Sequence, residues 1–228
     1  MFLGKEDIII ALRKLGRRLA LLDTEPVTLV ICGASALNCA GLLARPTRDV
    51  DVLGVARGDR DLKLTGSGLP DELLRPIAEV APALGAEVDW LNDRALILQS
   101  TPGLPPQFET RLSVPPLEFG PCLHVVLPSR QDLVALKFYA SLDARLEEGL
   151  RHFRDLVELE PTHGEIKFAV AWLLNRPTSA VFRKKVREVA ARLGFDKLAT
   201  PSTAATRVQS QRKRTSPAGK KRRARFSL

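Results

Sequence analysis

Apolar residues recur at helical spacing near the start of the chain. Ile8, Leu12, Leu15, Leu19 and Leu22 share one face, with Lys14, Arg17 and Arg18 on the other, which predicts a helix over residues 6–23. The pattern then tightens into a β-branched run from Thr28 to Ile31, a short strand closed by Gly33. A helix from Ser35 to Leu43, stopped by Pro46, and a second strand from Asp49 to Val55 follow. Residues 57–70, with three glycines, read as a loop. Beyond it, helix is predicted over Asp71 to Leu84 despite Pro76 and Pro82, and strand near Arg111 to Val114 and Leu123 to Leu127. Ser129 is placed to cap a helix carrying Leu133, Leu136, Lys137 and Ala140. Three further helices are expected around His152 to Leu159, Gly164 to Leu174 and Ala180 to Leu193, with Pro161 and Pro177 between them.

Mixed helix and strand followed by helix alone implies an α+β protein. The expected organisation is an α/β domain over residues 1–128 with a mixed sheet and flanking helices, a helical bundle over 129–198, and a disordered basic tail over 199–228. The chain has 228 residues, 45% hydrophobic and 27% charged, enough for one substantial core. Its longest apolar runs fall far short of a membrane span, and its first residues lack a secretory pattern. A cytoplasmic protein with no membrane partner is therefore expected. Cys32, Cys39 and Cys122 have no metal-ligand spacing, and His124, His152 and His163 share no i, i+4 relation. A disulfide framework or a histidine–cysteine metal site is not indicated.

Charge changes the picture once it is located. The net charge is +9, yet nine basic residues and no acidic ones lie between Ala205 and Leu228. The remaining 26 basic residues match the 26 acidic ones, so the surplus belongs to the tail. Its composition of Ser, Thr, Gln, Lys and Arg buries no core. A flexible polycation binds nucleic acid through phosphates. The alternative is a solubility tail or an accidental extension.

The candidate chemistry sits in Ile31-Cys-Gly-Ala-Ser-Ala-Leu37 and in Arg45-Pro-Thr-Arg-Asp49-Val-Asp51-Val. Strand alternation puts Asp49 and Asp51 on one side and Val50 and Val52 in the core. Two carboxylates on one strand suit Mg²⁺ or Mn²⁺ and support phosphoryl or nucleotidyl transfer. Gly33 permits a tight turn, and Ser35 opens the next helix, where backbone amides suit a triphosphate. A second Asp-x-Asp, Asp59-Arg-Asp61, lies in a polar stretch and reads as a solvated loop. For Asp49 and Asp51 the alternative is an edge strand with a wet face.

Gly-x-Ser, a short helix, then Arg-x-Thr-x-Asp-x-Asp resembles the signature of the nucleotidyltransferase superfamily, whose fold includes DNA polymerase beta. The likeness is greater to the bacterial branch containing AbiEii-type toxins of toxin–antitoxin systems. Asp132-Leu-Val-Ala-Leu-Lys-Phe-Tyr-Ala140 and Arg151-His-Phe-Arg-Asp-Leu-Val-Glu-Leu159 resemble two further motifs of that branch. The resemblance spans roughly residues 27–160. It implies a metal-dependent transfer of a nucleotide from NTP to an RNA, such as tRNA, or to a protein, and a cognate antitoxin as partner. It gives nucleotide-site roles to Lys137 and Asp155. The chain departs from the branch at Ala34, where a second glycine is common, and at His152, where an acidic residue is frequent. The usual third carboxylate has only Asp89 and Glu118 as candidates. Without the resemblance, Lys137 reads equally as a lysine snorkelling to water, and Asp155 as a surface partner of Arg151. The competing function is a non-catalytic nucleic-acid-binding protein on a degenerate nucleotidyltransferase fold.

Overall fold

The computed structural model describes residues 4–58, 61–143 and 146–199. Asp59 of the second Asp-x-Asp and the predicted tail from residue 200 onward lie outside the described residues. The chain is a mixed α+β protein with helices packed around a mixed sheet. Helix α1 (Lys5–Leu21) buries Ile8, Leu12, Leu15 and Leu19, while Leu22 stays partly exposed just past its end. Strand β1 (Val27–Cys32) is buried at all but one position. Helix α2 (Gly33–Cys39) is shorter than the sequence implied. Gly41, at φ +68°, turns the chain well before Pro46 is reached. Leu43 is buried nonetheless, so the apolar pattern runs on after the helix has ended.

Strand β2 (Val50–Arg57) begins one residue after Asp49. It pairs antiparallel with β1 and with β3 (Lys63–Leu64), a short strand inside the stretch predicted as loop. Its other short partner, β4 (Leu91–Asn92), runs parallel to it and places Asn92 opposite Asp51. Strand β6 (Leu123–Val126) lies parallel to β1, with β5 (Leu117–Glu118) antiparallel at the edge. The order is β3-β2-β1-β6-β5, with β4 also on β2. The strand expected over 111–114 is absent there. Pro115 and Pro116 follow it without N–H donors, and pairing resumes only at Leu117. Of that segment, Ser113 alone reaches the sheet end, bonding Leu127.

The register between β1 and β2 slips between Val30 and Ile31, leaving Leu53 as the extra residue of a β-bulge. Gln99 donates to the carbonyl of Leu53 at 2.9 Å. That bond anchors a 3₁₀ helix (Arg94–Gln99) over β2. The approach needs Gly54, because a Cβ there would lie 2.5 Å from Gln99 Nε2.

Helix α3 (Asp71–Leu84) has the predicted bounds, with both prolines inside it. Its buried face of Leu73, Ile77, Val80, Ala81 and Leu84 packs on α1 and outweighs the amide bonds the prolines lack. Helix α4 (Arg130–Ala140) is capped by Ser129, whose Oγ accepts from the Asp132 amide at 3.2 Å. Every residue of α4 from Asp132 to Phe138 is buried. It contacts α2, α5 (Leu146–Glu158) and α6 (His163–Leu174), followed by α7 (Ala180–Arg192) and α8 (Asp196–Ala199). One cluster of buried apolar residues runs from α1 through the sheet to α7. No helix among the described residues is long and apolar enough to cross a membrane.

Candidate functional site

A cavity of about 750 Å³ opens where β1 ends, β2 begins, and α4 and α5 pass alongside. Asp49, Asp51, Gly33 and Lys137 all line it. Val50 and Val52 are fully buried, whereas Asp49, just before β2, and Asp51, on it, are only partly so. Thr47 Oγ1 lies 3.3 Å from Asp49 Oδ1 and orients that carboxylate. Gly33 stands against the other carboxylate at φ +68°, and a Cβ there would come 2.7 Å from Asp51 Oδ2. Both the left-handed turn and the clearance call for glycine.

Burial is the larger cause, and the charge of Asp49 the second, that pushes the Asp51 carboxyl up to about 6. Lys137, Arg94 and Arg151 partly offset them. A divalent cation shared by the two carboxylates would relieve that repulsion. Among the described residues no group of three or more His, Cys, Asp or Glu is placed to hold a metal ion. Asp49 and Asp51 supply two neighbouring carboxylates to the cavity. That fits Mg²⁺, which commonly takes one or two carboxylates and fills its octahedron with water and substrate phosphate.

Lys137 does not snorkel to water. Its side chain is 5% exposed and its Nζ lies 2.6 Å from Asp155 Oδ2. A lysine on a helix buried all round needs such a partner. Desolvation pulls its ammonium below the usual lysine value, and Asp155 works against that. Asp155 is 1% exposed and does not line the cavity. It pairs with Lys137 and Arg45 rather than Arg151, which pairs with Glu148. Arg45 donates from an Nη to Asp155 Oδ2 at 3.1 Å, while its Nε, 2.8 Å from Oδ1, is not aimed to bond. Asn38 fixes the backbone of this arginine by donating to its carbonyl at 2.6 Å. Asp155 is thus a positioning residue that holds two cations at the cavity wall.

Ser35 is brought close but not into the cavity. Its buried hydroxyl donates to the Cys32 carbonyl at 2.9 Å. Asp89 does not line the cavity but pairs with Arg94, which does, and Glu118 lies exposed on β5. The third acidic residue at the cavity is Glu148 on α5. Sequence reasoning missed it, although Glu148, His152, Asp155 and Leu159 follow one helical stripe. Ala95, Ile97 and Leu98 of the 3₁₀ helix and Leu133, Leu136 and Ala140 of α4 give the cavity apolar walls. Arg45, Arg48, Arg94, Lys137 and Arg151 outnumber its acids. Cys32, Cys39 and Cys122 are free thiols, and burial first, then the nearby Asp51 and Asp49, raise the Cys32 thiol well above the usual range. Compared with protein-family models, curated proteins and solved structures, the chain matches none.

Proposed function

We propose that the chain is a nucleotidyltransferase-like enzyme that moves a nucleotide from an NTP, with Mg²⁺ or Mn²⁺, to an acceptor hydroxyl on RNA or protein. One observation carries this reading. Two carboxylates, a glycine turn and a buried, carboxylate-held lysine come from three separate segments and line one cavity. A surplus of cations over acids around paired carboxylates suits a polyanion that arrives with a divalent metal. The apolar walls are suited to the face of a nucleobase or sugar.

Asp49 and Asp51 would hold the ion, which when bound supplies charge neutralisation and a lowered pKa for the attacking hydroxyl. Lys137 would neutralise the phosphates as a point charge. Asp155 keeps it ionised and aimed. The acceptor oxygen attacks the α-phosphorus, the bond to the bridging oxygen breaks, pyrophosphate leaves, and the acceptor proton passes to solvent. The AbiEii-type toxin setting comes from the sequence resemblance, while the cavity supports the transfer chemistry. Incubation with each α-labelled NTP and total cellular RNA tests the proposal. Label entering RNA or protein in the presence of Mg²⁺, and lost in Asp51→Asn, is the expected result. Nucleic-acid binding without any transfer would instead favour a non-catalytic protein.

A further inference from the structure

His152 stands beside Lys137 on the cavity wall, half-buried, with Nδ1 3.3 Å from Lys137 Nζ. An ammonium has three donors and no acceptor. With Asp155 holding Lys137 as an ammonium, Nδ1 must accept, and the single ring proton resides on Nε2. Burial first, then the charges of Lys137 and Arg151, push the imidazole down to about 4, so the ring is neutral near pH 7. The two ring nitrogens point in different directions. Among the described residues, Lys137 is the one hydrogen-bond partner of the His152 ring, leaving Nε2–H without one.

We propose that His152 contacts substrate directly, its Nε2–H donating to a non-bridging phosphate oxygen of the nucleotide whose charge Lys137 meets. This rests on the reading of the cavity as a nucleotide site. A neutral donor there adds a hydrogen bond without competing with Lys137 for Asp155, whereas a carboxylate would repel the phosphates and draw Lys137 away.

The test is equilibrium binding of the non-hydrolysable α,β-methylene analogues of ATP, GTP, CTP and UTP, each with Mg²⁺, to wild type, His152→Leu and His152→Gln. Leucine removes the donor, and glutamine returns an N–H at similar reach. For the analogue that wild type binds, His152→Leu should weaken affinity by about tenfold and His152→Gln should recover to within about threefold. Nitrogen NMR of the histidine rings in wild type checks the same claim without a variant. It should show Nε2 protonated and Nδ1 bare, with the Nε2 resonance moving on addition of the analogue. Equal affinities for wild type and His152→Leu, or a protonated Nδ1 in the free protein, overturn the assignment and leave the nucleotide site standing. A wild type that binds none of the four analogues overturns both.

Discussion

Asp51 keeps a carboxylate partly out of water, next to another carboxylate, and this has a measurable consequence. Its carboxyl is pushed up to about 6 from an ordinary 3.8. The folded protein thus holds this proton more tightly than the unfolded chain. The associated stability is fully present below pH 3.8 and is lost as pH rises through about 6. At neutral pH without divalent ions, the ionised group costs up to about 3 kcal/mol. Asp51→Asn should therefore be more stable than wild type by about 1–3 kcal/mol at pH 7.5 in EDTA. The gap should close as pH falls below 4. Urea unfolding across that pH range is the check, and a gap independent of pH contradicts the assigned burial. His152 acts in the opposite sense, losing stability as pH falls from 6.5 to about 4. It is common to both proteins and cancels to first order in the comparison. Lys137→Met leaves the buried Asp155 with Arg45 alone. It should lower stability by about 1–3 kcal/mol, short of the full cost of breaking a buried pair because Arg45 remains. Thermal unfolding measures this; a lysine with its head in water would show almost no loss.

Among the elements, α4 organises the site, because its buried length carries Lys137 to the cavity and Asp132 to an ion pair with Arg111 at 2.6 Å. Ser129 caps this helix and also donates to Asp132 Oδ2 at 2.6 Å. Ser129→Ala should cost about 1–2 kcal/mol in chemical denaturation. A loss under 0.5 kcal/mol, the scale of an ordinary surface change, would show that the cap contributes little. Both the cap and the helix were legible in the sequence, since a serine before an apolar period is a local signal. So was α3, whose five-residue apolar face overrides its prolines. Strand alternation also separated Asp49 and Asp51 from Val50 and Val52. What local pattern does not carry is the approach of distant segments. Arg45 and Asp155 are 110 positions apart, and nothing near either announces the other. The bond from Gln99 to the Leu53 carbonyl, which brings the 3₁₀ wall over β2, is equally non-local. The short α2 was misread because Leu43 continues the apolar period after Gly41 has turned the backbone. At 111–114 the sequence alternates like a strand, but the paired prolines deny it a ladder.

For the molecule as a whole, the charge divides the chain into a formally neutral part and a cationic end after Ala205. Deleting residues 205–228 should leave thermal stability unchanged and flatten the salt dependence of RNA binding, since up to nine phosphate contacts go with it. An unchanged salt slope would place RNA contacts elsewhere. The central claim concerns the cavity: it takes a nucleotide together with a divalent metal through Asp49, Asp51 and Lys137. Isothermal titration of each NTP into wild type, Asp51→Asn and Asp61→Asn, with and without Mg²⁺, addresses it most directly. Asp61 is 80% exposed, pairs with Lys63 and does not line the cavity, so its variant is the matched control. The expected result is Mg²⁺-dependent NTP binding by wild type and Asp61→Asn, weakened at least about tenfold in Asp51→Asn, the scale of one charge-assisted contact. NTP binding that ignores both Mg²⁺ and Asp51, or no binding by wild type, would contradict it.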